Sequence, residues 1–279
     1  MTILRHGDRS QDVRVLQQRL NQVGAGLYVD GHFGAATEVA VRNYQAKIGL
    51  VSDGIAGPKT LAALAGADCA CLLRHSTLAT AAARLGVELA AILAVNEVES
   101  LGSGFLDNGK PKILYERHIM YRQLTQPRHP DDDVVALKAH ADELAATQPH
   151  LVNPRAGGYV GGTAEHQRLA NAKLIDETCA LESASWGGFQ IMGFHAVRLG
   201  YASVQEFATR MATDENEQFE AFVRFLEAEP ALLKALRAKK WATFAKGYNG
   251  PDYQRNLYDT KLQRAYERHA VGCPIPEAA

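Results

Sequence analysis

The sequence predicts a mainly α-helical protein in which a small helical domain precedes a larger one. Apolar residues recur at helical spacing along most of the chain, as at Leu16 and Leu20 near its start. Extended apolar stretches are few and short, so we expect at most a small β-sheet. The 279 residues suffice for two domains. We place them at residues 1–66 and 77–279, with a linker at 67–76.

The composition is that of an ordinary folded protein, with 47% hydrophobic and 22% charged residues. A formal net charge of −1 argues against the broad basic footprint of a nucleic-acid-binding protein. No apolar run reaches the roughly 18 residues of a membrane helix, and the first residues lack the apolar core of a signal peptide. We expect a monomer made in the cytoplasm, with no nucleic-acid partner and no membrane insertion.

The four cysteines, Cys69, Cys71, Cys179 and Cys273, show no pattern of a disulfide framework. Cys69 and Cys71 are too close together for the usual zinc spacing, and no H-E-x-x-H motif is present. We therefore expect reduced thiols and no metal or cofactor, which counts against a zinc amidase or peptidase. A thiol peptidase pair of Cys179 with the distant His195 is a weaker interpretation, because Cys179 lies on a helical face.

Residues 1–66 contain two predicted helices and an internal repeat. Ser10 can cap the first helix, and a second is expected over about 35–48. The pattern Asp-Gly-x-x-Gly-x-x-Thr occurs twice, starting at Asp30 and, 23 residues later, at Asp53. Asp-Gly favours a turn, and the residues after the second glycine can open a helix. The repeat therefore suits a unit of three short helices.

The stretch LGVELAAILAVNEVESLGSG, residues 85–104, holds a candidate catalytic acid. At about 100° per residue, a helix here places Ile92 and Val95 on one face together with Glu99. Glu97 then points the opposite way, toward water. Burial at the end of an apolar face raises a carboxyl pKa, which a general acid working near neutral pH requires. The alternative is that Glu99 is a helix-end residue with a salt-bridge partner.

The rest of the chain is predicted as helices with one extended segment. An Asn-Gly turn precedes an apolar run within residues 105–117, which favours a short hairpin or an extended segment. Ser203 and Glu206 form a capping box, and an apolar helical face ends at Pro230. Further helices are expected over residues 134–147, about 164–182, 230–246 and 253–268.

Residues 29–64, VDGHFGAATEVAVRNYQAKIGLVSDGIAGPKTLAAL, resemble the peptidoglycan-binding domain found attached to many cell-wall hydrolases. The resemblance implies a non-catalytic module of three helices that targets the wall. It also implies a groove that involves the turns around Asp30, Phe33 and Thr37. The same three residues also have a structural role in those turns.

Three later segments together resemble the lysozyme-like superfamily, which includes goose-type lysozymes and lytic transglycosylases. Glu99-Ser100 looks like the Glu-Ser pair that holds the catalytic acid at a helix end. Residues 185–192, SWGGFQIM, resemble the segment that lines the cleft. Tyr248-Asn249 is similar to the Tyr-Asn motif near the end of those domains.

VNEVESLGSGF together with PKILYERH looks like the N-acetylmuramidase domain of modular bacteriophage endolysins, over roughly residues 75–270. With the binding domain in front, the whole arrangement resembles a phage endolysin. The resemblance implies a small three-helix peptidoglycan-binding domain followed by a large lysozyme-like helical catalytic domain. It further implies bacterial peptidoglycan as the partner, reached from the host cytoplasm after the membrane has been permeabilised.

The resemblance also assigns roles to residues. Glu99 would be the general acid and Glu116 a second active-site carboxylate, although an ion pair of Glu116 with Arg117 or Arg122 is an equal alternative. No aspartate stands where a hen-type lysozyme would use one. The aromatic residues Trp186, Phe189 and Tyr248 could instead belong to the hydrophobic core. Substrate-binding residues would be Ser100, Trp186, Gln190, Tyr248 and Asn249.

The expected reaction is hydrolysis of the β-1,4 bond between N-acetylmuramic acid and N-acetylglucosamine. Glu99 would give its proton to the leaving oxygen while water attacks the oxocarbenium-like centre. One alternative is a lytic transglycosylase, in which the muramyl 6-hydroxyl attacks and 1,6-anhydro products form. The other is a wall-binding virion protein without catalytic activity.

Overall fold

The structure, a computed structural model, describes residues 3–100 and 102–271. These residues form fourteen α-helices and one three-stranded sheet, which confirms the prediction of a mainly helical protein with a small sheet. The chain divides into two compact units. The first combines Met1–Gly102 with Glu229–Ala279, and the second is Ser103–Ala228.

The first unit begins with three helices, α1 (Gln11–Gln22), α2 (Ala35–Lys47) and α3 (Pro58–Leu64). Ser10 caps α1 as predicted, since its hydroxyl accepts a hydrogen bond from the Val13 N–H at 3.2 Å. Apolar side chains from all three helices and their turns form one small core. Its buried members include Leu4, Val13, Leu16, Leu20, Phe33, Val41 and Ala56.

A buried glutamine of α1 holds the first copy of the sequence repeat. Gln17 Nε2 donates to Asp30 Oδ1 at 2.8 Å and to Thr37 Oγ1 at 3.1 Å. Gln17 Oε1 accepts from the Gly31 N–H at 2.9 Å. One amide therefore satisfies the turn and the start of the next helix together.

The second copy is built in the same way around Gln45 of α2. Gln45 Nε2 donates to Asp53 Oδ1 at 2.8 Å and to Thr60 Oγ1 at 3.0 Å, and its Oε1 accepts from the Gly54 N–H at 3.0 Å. The repeat is thus a structural device in which aspartate and threonine meet one buried amide. Gln17 precedes its aspartate by 13 residues and Gln45 by only 8, so the spacing in the sequence does not reveal the two glutamines.

Two more helices of the first unit follow, α4 (His75–Leu85) and α5 (Leu89–Glu99). Gly86 ends α4 with a left-handed φ of 61°. The predicted single apolar face of α5 is wrong, because all residues from Ala90 to Val95 are buried. Protein surrounds this helix on every side along that stretch.

The second unit contains a sheet of β1 (Ile113–Tyr115), β2 (Ala184–Trp186) and β3 (Ile191–Met192), in that order and antiparallel throughout. The predicted hairpin within residues 105–117 is present only as an isolated bridge of Phe105 with Pro111, ahead of β1. Six helices complete the unit: α6 (Arg117–Leu124), α7 (Val134–Thr147), α8 (Thr163–Lys173), α9 (Glu177–Glu182), α10 (Val204–Met211) and α11 (Glu215–Ala228).

α7, α10 and α11 follow the predictions, whereas α6 was not predicted and one predicted helix is divided. α7 has the predicted bounds, and Ser203 caps α10 by accepting from the Glu206 N–H at 3.1 Å. The helix predicted over about 164–182 is split into α8 and α9. Asp176 causes the split, because its side chain caps α9 by accepting from the Cys179 N–H at 2.6 Å.

The chain then returns to the first unit as α12 (Pro230–Arg237), α13 (Trp241–Asn249) and α14 (Tyr258–Val271). The helix predicted over 230–246 is divided at Lys239, whose φ is 53°. α14 packs along α5 and against α13. Within the described ranges, no single helix is long and apolar enough to cross a membrane; α4 and α5 pass that test as a pair, with a bend of 119° between them.

Candidate active site

Glu99 is the last residue of α5, and 8% of its surface is exposed. Its Oε1 accepts a hydrogen bond from Asn249 Nδ2, at the end of α13, over 2.9 Å. Burial raises the pKa of the Glu99 carboxyl to about 7, while the Asn249 amide and the Lys261 charge act in the opposite direction. The first unit therefore brings two predicted site residues together around an acid that can give up its proton near neutral pH.

Two further predicted residues adjoin Glu99 in the first unit. Tyr248 is half-buried, and its ring stacks on Phe244 with centroids 6.0 Å apart. Burial and the Glu99 charge raise the pKa of the Tyr248 phenol, so its hydroxyl keeps its proton. The Ser100 hydroxyl donates back to the Asn96 carbonyl, which helps to end α5.

Glu97 does not face water as the helical phase predicted. Its side chain is 24% exposed, and its carboxylate pairs with Arg268 and with His269 Nε2, the latter at 2.9 Å. Burial acts to raise the pKa of Glu97, but His269 and Arg268 bring it below its ordinary value. The prediction was wrong because α14 packs along α5, and a helical projection of one element does not show its neighbours.

Glu116, the predicted second carboxylate, lies just before α6 in the second unit. Its Oε2 accepts from the Tyr159 hydroxyl at 2.7 Å and lies 3.1 Å from His118 Nδ1. Arg117 instead donates to three backbone carbonyls, and Arg122 stacks on an aromatic ring. The alternative of an ion pair with either arginine is therefore wrong.

Trp186 and Phe189 are core residues of the second unit. Trp186 is 5% exposed, and its Nε1 donates to the Leu181 carbonyl at 3.3 Å. Phe189 is equally buried and stacks on Phe222 with centroids 4.8 Å apart. A sugar can stack on an aromatic ring only where a ring face is open. This burial corrects the expectation that the Trp186 indole binds substrate.

Gln190 closes the turn between β2 and β3. Its backbone is left-handed, with φ 51°, which is uncommon for a residue other than glycine. Its Oε1 accepts from Ser185 Oγ at 2.8 Å, and its Nε2 donates to the Gly187 carbonyl at 2.7 Å. These bonds fix a half-buried amide at the end of the hairpin.

Two buried side chains of α11, which the sequence analysis missed, hold the glycines of the second unit. Glu215 Oε1 accepts from the Gly104 N–H at 2.7 Å, and Gln218 Oε1 accepts from the Gly188 N–H at 2.9 Å. A Cβ on Gly104 would lie 1.8 Å from Gln218 Oε1, and one on Gly187 would lie 2.6 Å from it. Close backbone approach therefore requires glycine at both places.

A buried ion pair also supports β1 and was missed. Glu165 is fully buried and accepts from the Tyr115 N–H at 3.1 Å and from Arg168 Nη1 at 2.7 Å. Burial acts to raise the pKa of Glu165, but backbone N–H donors and Arg168 bring it below its ordinary value. The sequence did contain a signal for this ion pair, because Glu165 and Arg168 carry opposite charges three residues apart on a predicted helix.

Of the three residues expected to line the groove of the binding module, two are buried. Phe33 is 0% and Thr37 3% exposed, so these side chains support the turn and have no surface for a ligand. Asp30 is exposed. Hydrogen bonds from Gln17 and the His32 N–H lower the pKa of its carboxyl. The expectation is therefore corrected for Phe33 and Thr37.

The cysteines offer no nucleophile within the described chain. Cys69, Cys71 and Cys179 are free thiols, and Cys273 lies outside the described residues. Burial raises the pKa of the Cys179 thiol to about 12, so it stays protonated at neutral pH. The ring of His195 stacks on aromatic neighbours. The thiol peptidase interpretation is therefore wrong.

Comparison with known families agrees with this arrangement. The profile of the N-acetylmuramidase family matches residues 88–270, and that of a putative peptidoglycan-binding domain matches residues 9–64. The first match covers more than half of the chain. The chain therefore belongs to the N-acetylmuramidase family of glycoside hydrolases, and peptidoglycan is its class of substrate.

A solved structure resembles this chain over nearly its whole length. The crystal structure of an endolysin from Burkholderia phage AP3 superimposes with a TM-score of 0.89 and 52% sequence identity, covering 97% of this chain and 100% of that one. The chain thus has the modular organisation of a phage endolysin, as the sequence predicted.

Curated relatives share a shorter stretch. The N-acetylmuramoyl-L-alanine amidase CwlM of Mycobacterium tuberculosis is 53% identical over 55 residues, which are 19% of this chain and 13% of that protein. The zinc D-Ala-D-Ala carboxypeptidase of Streptomyces albus G is 47% identical over 60 residues, 20% of this chain and 24% of that protein. The chain thus spans less than a quarter of the length of either relative.

Proposed function

We propose that this protein is an endolysin muramidase that hydrolyses the β-1,4 bond between N-acetylmuramic acid and N-acetylglucosamine, with Glu99 as general acid. One observation carries this assignment. Among described glutamates with a displaced pKa, Glu99 alone is shifted upward, to about 7, whereas the pKa is lowered at Glu97 and Glu165 and at three surface positions. A general acid works best when its pKa lies near the working pH.

In the proposed reaction, the Glu99 proton moves to the glycosidic oxygen as the C1–O bond breaks. The Asn249 amide, 2.9 Å from Oε1, holds the carboxyl and stabilises the carboxylate that remains. Water adds to the oxocarbenium-like carbon and produces a reducing muramic acid end. The low polarity around Glu99 keeps the acid protonated until the leaving oxygen takes the proton.

Glu116 is the candidate to assist the attacking water. Its carboxylate is held by the Tyr159 hydroxyl and lies beside His118. The Tyr159 hydrogen bond fixes the position of the acceptor oxygen, which a general base requires. Glu116→Gln would then slow hydrolysis without changing the pH at which Glu99 titrates.

Substrate contacts are proposed for the polar groups that keep exposed surface. Asn249, Tyr248 and Ser100 adjoin the acid in the first unit, and Gln190 offers a fixed amide in the second. Amides and hydroxyls of this kind hydrogen-bond sugar hydroxyls and acetamido groups. Trp186 supports the hairpin that carries Gln190.

We further propose that residues 1–66 bind peptidoglycan without cutting it, through the exposed turn at Asp30, that 67–76 is a linker and that residues 77–279 carry the activity. The protein would act as a monomer, bind no nucleic acid and not insert into the membrane. It would be made in the host cytoplasm and reach the wall after membrane permeabilisation. The support is its likeness to a phage endolysin over nearly the whole chain.

The products of wall digestion test this proposal. Purified sacculi treated with the protein should release muropeptides with reducing muramic ends, which borohydride converts to alditols visible by mass spectrometry. Products uniformly lighter by one water, as 1,6-anhydro sugars, would instead identify a lytic transglycosylase. Bound protein without any glycan cleavage would identify a non-catalytic wall-binding protein.

A further inference from the structure

A polar pocket of about 300 Å³ lies in the second unit, between the ends of α6 and α9. α6 contributes Arg122 and Gln123, and the loop after it contributes Arg128. Glu182 comes from the end of α9, and Phe194 follows β3. A volume of this size is at the lower end of the range for small-ligand sites.

The pocket carries one uncompensated positive charge. Arg128 is neutralised by Glu182, with guanidinium nitrogens 3.1 and 2.5 Å from the two carboxylate oxygens. Arg122 has its guanidinium carbon 4.9 Å from the centroid of the Phe194 ring. No carboxylate within the described part of the chain pairs with Arg122. The pocket therefore favours an anion.

A buried amide adds a second, independent sign of a ligand. Gln123 lines the pocket and is 6% exposed. Its backbone carbonyl takes part in a turn, but no described residue is hydrogen-bonded to its side chain. The amide is therefore open to the pocket. An oxygen-rich group in the pocket would accept from both the Gln123 amide and the Arg122 guanidinium.

The single charge selects among anions. One free guanidinium and one amide match a carboxylate, which carries one negative charge and two acceptor oxygens. A phosphate monoester carries between one and two charges at neutral pH and would leave part of its charge unmatched against Glu182. The chemistry of the lining residues therefore fits a carboxylate better than a phosphate.

The position of the pocket relates it to the polymer substrate. One residue separates Glu182 from the start of β2, and one separates Phe194 from the end of β3, so the pocket lies at the open end of the hairpin whose turn carries Gln190. β2 has three residues, so the open end of the hairpin and its turn lie about 10 Å apart. An extended peptide of three residues spans a similar distance.

We propose that this Arg122 pocket binds a free carboxylate of the peptide that branches from the peptidoglycan glycan. The inference rests on the proposed function for the identity of the polymer. It gives the second unit a role in recognising peptide-substituted glycan, in addition to the role proposed for Glu116. The pocket would then favour wall segments whose peptide carboxylates are free over segments in which they are amidated.

Binding of defined soluble ligands to the full chain tests the proposal. A disaccharide-peptide with free carboxylates should bind roughly tenfold more tightly than the same compound amidated, as expected for loss of a charge-assisted pair. Arg122→Ala should remove the preference. Arg155→Ala, at another exposed arginine of the second unit whose side chain has no described partner, should leave it unchanged.

Equal affinity of the parent protein for the free and amidated ligands would overturn the proposal without requiring any variant. Displacement of the ligand by inorganic phosphate but not by acetate would also overturn it and identify a phosphate site. Cleavage of peptide-free glycan strands by the parent protein is measured in parallel. If the parent protein does not cleave these strands, the proposed function is wrong. If it cleaves them but shows no preference for free carboxylates, only the proposal for the Arg122 pocket is wrong.

Discussion

At the scale of single residues, burial decides which carboxyl can act as an acid. Glu97 and Glu99 are two positions apart on α5, yet their pKa values are displaced in opposite directions. Both are withdrawn from water, but Glu97 faces Arg268 and His269 whereas Glu99 faces a neutral amide. The sequence could place Glu99 at a buried helix end. It could not show the partners of Glu97, because these lie about 170 residues further along the chain.

The pH dependence of activity follows from the pKa of Glu99. Its acid form is required for catalysis and is lost as the pH rises through about 7. We therefore expect kcat/KM on purified sacculi to fall about tenfold for each pH unit above that value. Turbidity loss measured in buffers of constant ionic strength gives the profile. A rate that stays constant from pH 7 to pH 9 would contradict the assignment.

Asn249→Ala should shift the fall in activity at high pH to a still higher pH. The Asn249 amide stabilises the charged form of Glu99, so its removal raises the pKa further, by roughly half a unit to one unit. The descending limb of the pH–rate profile should shift to higher pH by the same amount. Asn256→Ala, at an exposed asparagine, is the matched control and should keep the parental profile. A downward shift in Asn249→Ala would mean that the amide favours the neutral acid.

At the scale of elements, the sequence predicted those helix bounds and caps that depend on neighbouring residues. The bounds of α7 and the Ser10 and Ser203 caps depend on residues close to one another in the chain. The burial of α5 on all sides depends on other helices, chiefly α14. A projection of one helix therefore could not predict it.

In the candidate site too, the sequence predicted some features and not others. The sequence analysis named Glu99 and Asn249 as site residues from two motifs that resemble a known family, but it did not predict the hydrogen bond between them. Trp186 was expected to bind sugar, but burial against Phe207 places it in the core. Glu215 and Gln218 went unnoticed because their partners are backbone N–H groups, which leave no mark in the sequence.

The repeated glutamine network predicts a stability effect confined to the binding module. Gln17 is 1% exposed and bonds Asp30, Gly31 and Thr37. Gln17→Ala leaves those groups without their partner, which costs about 2–4 kcal/mol in total. We expect a lower thermal midpoint and weaker binding to sacculi. Gln18→Ala changes an exposed glutamine of α1 and should alter neither quantity; an equal effect of both variants would refute the proposed role of the network.

At the scale of the whole molecule, the end of the chain completes the surroundings of the candidate acid. α13 carries Asn249 and α14 packs along α5, although both helices lie at the opposite end of the sequence from α5. The carboxylate of Glu97 joins α5 to α14 through Arg268 and His269. The Asp53 carboxyl of the binding module also interacts with the Glu97 and His269 charges. This electrostatic interaction involves residues that belong to different family profiles.

Glu97→Gln should therefore destabilise the fold in a pH-dependent way. The pKa of Glu97 is lowered in the folded protein, so its stabilising contribution is complete above its ordinary value of 4.5 and is lost as the pH falls below it. The variant should melt several degrees below the parent at pH 7, and the difference should shrink toward pH 3. Thermal unfolding followed by circular dichroism measures this. A difference that grows as the pH falls would show that the carboxylate does not stabilise the folded state.

The central claim is that Glu99 is the acid that cleaves the glycan, and the rate of muropeptide release by Glu99→Gln tests it most directly. The amide keeps the shape of the side chain but cannot deliver a proton. Release from sacculi at pH 6 should fall by about 10²–10⁴-fold, with sacculus binding unchanged. Glu267→Gln, at an exposed glutamate of α14, should stay within a few-fold of the parent. Near-parental release by Glu99→Gln would contradict the claim and make Glu116 the next carboxyl to test.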